Sequence, residues 1–183
     1  MDATPEALRR YTARDRLIDG RVLLVRAIRP ADKPALQAGF HRLSSESAYF
    51  RFFGPKHELS PHELVYLTEV DFARHVALVA IIEKAPLIVG VGRYIVCEVE
   101  PIRAAEIAFA VDDAHQGLGI ATILLRHLAK IARAADISQF IASVLASNRK
   151  MLLVFSHSGL PQERTVESGV VNVRLSLAGP SVT

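Results

Sequence analysis

The spacing of apolar positions along this chain changes from one period to another, and the changes mark out its elements. Val22 to Ile28 is a strand-like run that ends at Arg29-Pro30, and after Asp32 the apolar residues Leu36, Phe40 and Leu43 recur at helix spacing. Ser44-Ser45-Glu46-Ser47 reads as a capping entry to a second helix carrying Tyr49, Phe50, Phe52 and Phe53 and stopping at Gly54-Pro55. Ser60-Pro61-His62-Glu63 repeats the start signal, with Pro at the first helical position and Glu at the third, which predicts a short helix to about Val70.

The period then shortens. His75 to Ile82, Leu87 to Val99 and Ala104 to Val111 are β-rich runs separated by a Lys84-Ala85-Pro86 turn and by Pro101, the pattern of an antiparallel meander. Gly90 and Gly92 within the second run imply a bulge or a close backbone approach. From Gly119 to Ala135 the residues Ile120, Ile123, Leu124, Leu128 and Ile131 follow helix spacing. Phe140 to Leu145 reads as a strand, Asn148 to Ser158 as a helix stopped by Gly159, and Arg164 to Leu177 as a hairpin turning at Glu167-Ser168-Gly169.

These elements fit one domain over 21–178, with 1–20 as an N-terminal arm and 179–183 as a tail, because 183 residues bury enough apolar surface to fold without cross-links. Lys and Arg number 22 against 19 Asp and Glu, and no run interleaves bases with aromatics, so nucleic acid is not an expected partner. No segment is long enough to span a bilayer, and the Arg-rich arm carries Asp2, Glu6, Asp15 and Asp19, which spoil a targeting composition. Cys97 is the one cysteine, so no internal disulfide forms and a cytoplasmic location is expected. Glu98 and Glu100 beside it argue against a reactive thiolate. The seven histidines form neither a helix-spaced pair nor a zinc pattern, so no metal is expected.

The chemistry concentrates where a strand runs directly into the long helix, at Val111-Asp112-Asp113-Ala114-His115-Gln116-Gly117-Leu118-Gly119-Ile120-Ala121-Thr122. Two glycines allow a sharp turn with N–H groups pointing outward, and a helix start adds partial positive charge, so phosphate oxygens can be held there without a lysine. Gly117-x-Gly119 also begins a dinucleotide fingerprint, with Asp136 downstream, but Thr122 stands at its third glycine and the turn follows antiparallel strands rather than opening a βαβ unit.

Gln116-x-x-Gly119-x-Ala121 resembles the acyl-CoA signature of the GNAT superfamily of N-acetyltransferases, and the resemblance extends to the order of elements from Val22 to Leu177. It implies a GNAT fold of the α/β (α+β) type, with a mixed, mostly antiparallel sheet of six to seven strands flanked by about four helices. It also implies acetyl-CoA as co-substrate, with Gln116, Gly117, Leu118, Gly119, Ile120, Ala121 and Thr122 around its pyrophosphate. The stretch Ser44 to Phe53 is similar to the early helix of acetyltransferase domains that modify lysines of acyl-CoA synthetases, which points to a protein lysine as the acceptor amine.

Amide formation needs an amine deprotonated beside the thioester, and Glu106 occupies the strand leading to the phosphate loop. Alternation places Glu106 with Ala108 and Ala110 on one face, and Ile107, Phe109 and Val111 on the core face. Carboxylates at this strand position act as general base in many members of the resembling family; a pairing of Glu106 with Arg93 or Arg103 is the competing reading. By the same resemblance, backbone N–H groups around Phe109, Ala110 and Val111 receive the thioester carbonyl and pantetheine, and pairing with the next strand splays there. Asn148 caps the following helix and is also a pantetheine contact. Where many relatives carry a Tyr acid on that helix, this chain has Phe155; Ser156 or His157 is the alternative acid, but CoA thiolate leaves well enough to need none, and His157 reads rather as a helix-end charge. A silent acyl-CoA-binding module and a small-molecule amine acetyltransferase are the rival functions, and the chain is read as a monomer or homodimer.

Overall fold

The computed structural model describes residues 1–83, 85–99 and 102–178. Its elements run α1 Pro5–Arg9, β1 Thr12–Arg16, β2 Val22–Ala27, a 3₁₀ turn Pro30–Asp32, α2 Lys33–His41, α3 Ser45–Phe52, α4 Pro61–Thr68, β3 His75–Ile82, β4 Ala85–Val99 and β5 Ile102–Val111. A second 3₁₀ turn Asp113–His115 leads to α5 Ile120–Ala134, β6 Gln139–Leu145, α6 Arg149–Ser156, β7 Gln162–Glu167 and β8 Val170–Ser176. The strands make one 8-stranded sheet in the order β1-β2-β3-β4-β5-β6-β8-β7. Neighbours are antiparallel except β5 and β6, whose parallel pairing uses α5 as its crossover. The architecture is the expected mixed, mostly antiparallel one, with more strands and helices among the described residues than the six to seven and four foreseen.

The additional strand comes from residues 1–20, expected as an appended arm. Thr12–Arg16 pairs along its length with β2, and Leu8 and Leu17 are buried in the core. Its sequence TARDR has no apolar alternation, so the strand is held instead by its backbone ladder and by polar side chains. Asp15 receives the side chains of Arg126 and His127 from α5, and Arg9 donates to the Val70 and Asp71 carbonyls while lying 5.2 Å over the Phe72 ring. Ala85, expected in a turn, already pairs with Ile82 as the first residue of β4. Lys84, Pro101 and the tail 179–183 lie outside the described residues.

The helix α5 buries Ile120, Ile123, Leu124, Leu125, Leu128, Ala129, Ile131 and Ala132 against the sheet. Glycines in β4 let it approach: a Cβ on Gly90 would stand 2.7 Å from Ile120 Cγ2, and one on Gly92 would stand 3.0 Å from Leu128 Cδ1 and Phe109. The β3–β4 register also slips beside Gly90, between Ala80 and Ile81, so the bulge and the close approach expected from the glycines occur together. This contact fixes where α5 starts relative to the end of β5.

On the other side of the sheet the entry to α2 is pinned by Asp32, only 7% exposed, which takes both Arg26 Nη atoms at 2.7 Å and the Arg29 N–H at 2.8 Å. Burial pushes the Asp32 carboxyl up, but these hydrogen bonds and charges outweigh it and hold it below the ordinary carboxylate value. A depressed carboxyl stabilises the fold above its unfolded pKa and loses that contribution as pH falls through the folded one. Asp32→Asn is therefore expected to cost about 3 kcal/mol near neutral pH, because it strands the Arg26 charge, and to make the acid limb of unfolding shallower. Urea melts between pH 3 and pH 7 would check this; parallel wild-type and variant curves would contradict it.

Candidate active site

The turn between β5 and α5 is built by two left-handed glycines, Gly117 at φ 77° and Gly119 at φ 87°. Gly119 is the N-cap of α5 and has no side chain to satisfy the first helical donors. Among the described residues no backbone acceptor or side chain takes the N–H groups from Gly117 to Thr122, so Gly117, Leu118, Gly119, Ile120, Ala121 and Thr122 present free donors at the positive end of α5. A Cβ on Gly117 would meet nothing within 4 Å, which leaves that side of the turn open. The turn is braced from outside: Ile18 N–H donates to Leu118 O at 3.3 Å, bringing the β1–β2 connection against it.

Gln116 turns its side chain to α3 and α6. Its Nε2 reaches Ser47 Oγ at 3.2 Å and Val111 O at 3.3 Å, while its Oε1 accepts from Lys150 Nζ at 2.7 Å. Asp113 ties the same loop to the start of α3, accepting from Ser44 N at 2.9 Å and Ser47 Oγ at 2.8 Å. Gln116 is thus a joint between loop, α3 and α6, and it holds the Lys150 ammonium beside the loop.

Beside the turn the sheet opens. β5 and β6 pair only at Ala104↔Gln139, Ala105↔Phe140 and Glu106↔Ile141, after which the ladder stops. Asp112 N–H donates to Val89 O, so by the alternation of an antiparallel ladder Ala110 points its backbone groups at Val91, while Phe109 and Val111 point theirs into the gap. Of the three expected donors, Phe109 and Val111 face the opening and Ala110 does not. Its methyl lines the cleft beneath.

That cleft lies between the sheet and helices α2 to α4, with a volume of about 60 Å³. Leu36, Phe40, Phe52, Leu67, Gly90, Ala108 and Ala110 give it apolar walls, and Arg51, Arg93 and Asp112 its polar atoms. Glu106 shares the β5 face of Ala108, as alternation requires, and is exposed. Among the described residues it makes no ion pair: Arg93 goes to Leu67 O and His75, and Arg103 to Ala135 O. Asp112 is taken by Arg42, with Nε to Oδ2 at 2.5 Å, and by Ala114 N–H.

The chain runs from β6 into α6. Asn148 caps it, Oδ1 accepting from Met151 N–H at 3.1 Å, so the capping role is satisfied and its amide nitrogen stays free for a second contact. Phe155 is buried and packs on Phe109 with ring centroids 6.3 Å apart. Ser156 Oγ donates to Leu152 O and accepts from Arg164 of β7, and His157 is exposed, so neither supplies an acid at the opening. Sequence reasoning missed Lys150, Ser47, Arg51 and Arg93. Their roles depend on contacts across many residues of chain, and only the phase of α3, which puts Ser47 and Arg51 one turn apart, was a usable signal.

The sequence profile of the acetyltransferase (GNAT) family matches residues 41–159. An acetyltransferase of Pseudomonas aeruginosa is 35% identical over 137 residues, which cover 74% of this chain and 73% of that protein. Acetyltransferase Pat of Mycolicibacterium smegmatis is 31% identical over 140 residues, 76% of this chain but 41% of Pat. Among solved structures, the GNAT domain of S. lividans PAT superposes with a TM-score of 0.83 at 37% identity, covering 90% of this chain and 96% of that domain.

Proposed function

Because the chain belongs to the acetyltransferase (GNAT) family, and is an acyl-CoA-dependent N-acetyltransferase, we propose that it carries the acetyl group of acetyl-CoA to a protein lysine by direct attack of the amine on the thioester. One observation carries this: a run of N–H groups from Gly117 to Thr122, unpaired among the described residues, opens α5 beside the point where β5 and β6 part. In this reading the turn grips the pyrophosphate, Lys150 adds a cation at its mouth, and the pantetheine lies along β5 with Phe109 and Val111 as donors. Glu106, unpaired among the described residues and open to water, takes the amine proton, directly or through a water molecule. The thiolate leaves without a dedicated acid, since α6 carries the buried Phe155 at that place.

Lysine as acceptor is supported by the early helix, Ser45–Phe52 with its Ser44 cap, which resembles that of acetyltransferase domains acting on acyl-CoA synthetases, and by the similarity to proteins called Pat. The test is incubation with labelled acetyl-CoA and a purified acyl-CoA synthetase, alongside a cell lysate. Label is expected on a synthetase lysine, read by mass spectrometry. Label confined to small molecules would overturn the lysine assignment while leaving the acetyl transfer in place.

A further inference from the structure

The cleft under β4 and β5 contains more positive charge than its surroundings neutralise. Arg93 is 5% exposed, and among the described residues its hydrogen bonds go from Nη1 to His75 Nε2 at 3.0 Å and from Nη2 to Leu67 O at 3.3 Å. A guanidinium only donates, so His75 accepts, and His75 is neutral: burial and then the Arg93 charge pull its pKa down to about 4. No carboxylate meets Arg93 among the described residues.

Arg51 lines the same cleft from α3, and it makes no hydrogen bond and no ion pair among the described residues. Its guanidinium carbon lies 5.1 Å from the centroid of the Phe52 ring. Burial lowers the Arg51 pKa, with Glu106 opposing from a distance, and burial followed by the Arg51 charge lowers that of Arg93 to about 9. Asp112, the carboxylate on the cleft wall, is already engaged by Arg42. Two neighbouring guanidinium groups in an apolar cleft repel each other and lose hydration, an arrangement that favours an anion between them.

Building on the transferase reading of this site, we propose that Arg51 and Arg93 form a carboxylate seat on the acceptor side, so that preferred acceptors are amines that also carry a carboxylate. The walls contributed by Ala108 and Ala110 share the β5 face of Glu106, which places the seat on the face from which the amine approaches. The carboxylate could be supplied by an acidic residue flanking a target lysine or by the α-carboxylate of a free amino acid. Both present the same planar pair of oxygens to a guanidinium fork.

The experiment compares acceptors matched in their amine. Lysine peptides with flanking Asp or Glu are set against the Asn or Gln versions, and free amino acids against their amides, with kcat/KM measured at saturating acetyl-CoA. The carboxylate forms should be preferred by about tenfold or more, and Arg51→Gln should remove the preference while Arg51→Lys restores part of it. The pair of acceptors that shows the preference identifies its source. Equal kcat/KM within both matched series would overturn the proposal. A succinyl-CoA preference over acetyl-CoA with a neutral amine, lost in Arg51→Gln, would move the seat to the donor and overturn it too. Thermal melts with propionate against propionamide read the seat without turnover: a shift by propionate alone, absent in Arg51→Gln, is expected, and no difference overturns the proposal even where transfer is intact. Calorimetry with acetyl-CoA on the same variants separates these results from failure of the coenzyme site.

Discussion

Gly119→Leu is expected to lower the affinity for acetyl-CoA about a hundredfold or more while the folded state persists. Gly119 sits at φ 87°, a left-handed conformation that costs a non-glycine residue about 1–2 kcal/mol. The added Cβ itself has room, since its nearest neighbours are Ile18 carbons at 3.7 Å, so the protein does not clash with it. The ligand does. A leucine there covers N–H groups that would each make a charge-assisted bond worth about 1.5–3 kcal/mol to a phosphate oxygen, and losing even one or two amounts to roughly 3 kcal/mol, or about a hundredfold. Calorimetric titration paired with a thermal melt distinguishes the two effects. Full affinity in Gly119→Leu would mean that the pyrophosphate is gripped elsewhere.

The elements around this turn were legible because their signals are local. A 15-residue helix with one apolar face, entered through two glycines from an alternating strand, writes itself into consecutive residues. So does the Ser60 cap with Glu63 in its capping box. What stayed hidden depends on distant parts of the chain. β1 is an edge strand whose Thr12, Arg14 and Arg16 face water, and nothing in TARDR alone distinguishes it from an arm. Its stabilisation comes from α5 residues more than a hundred positions away, through Asp15, Arg126 and His127.

Arg93 is the sharper case. From sequence it was a candidate partner for Glu106 on a surface strand. It is buried instead, because Gly90 and Gly92 on the same strand draw α5 onto the opposite face, while α4 covers this one and offers Leu67 O. Alternation correctly placed Glu106 with Ala108 and Ala110, but it carries no information about which helix closes over them. Likewise the backbone direction of Ala110 follows from the β4–β5 register, which cannot be read before the pairing is known.

Glu106→Gln is expected to lower kcat by about a hundredfold to ten-thousandfold, the usual contribution of a positioned general base. The substitution keeps size and shape, and Glu106 is exposed with no ion pair among the described residues, so neither stability nor acetyl-CoA affinity should move. That insulation makes the measurement decisive. A base acts on the chemical step, so the loss should fall on kcat and kcat/KM alike, with KM for the acceptor little changed. If Glu106 only softened the field of Arg51, the variant would shift KM for the acceptor and leave kcat in place. Stopped assays of free-CoA release over a range of acceptor concentrations, on wild type and variant with one lysine peptide, give both parameters at once. A variant with unchanged kcat would remove Glu106 from the chemistry and leave the acceptor's own ionisation as the source of the nucleophile.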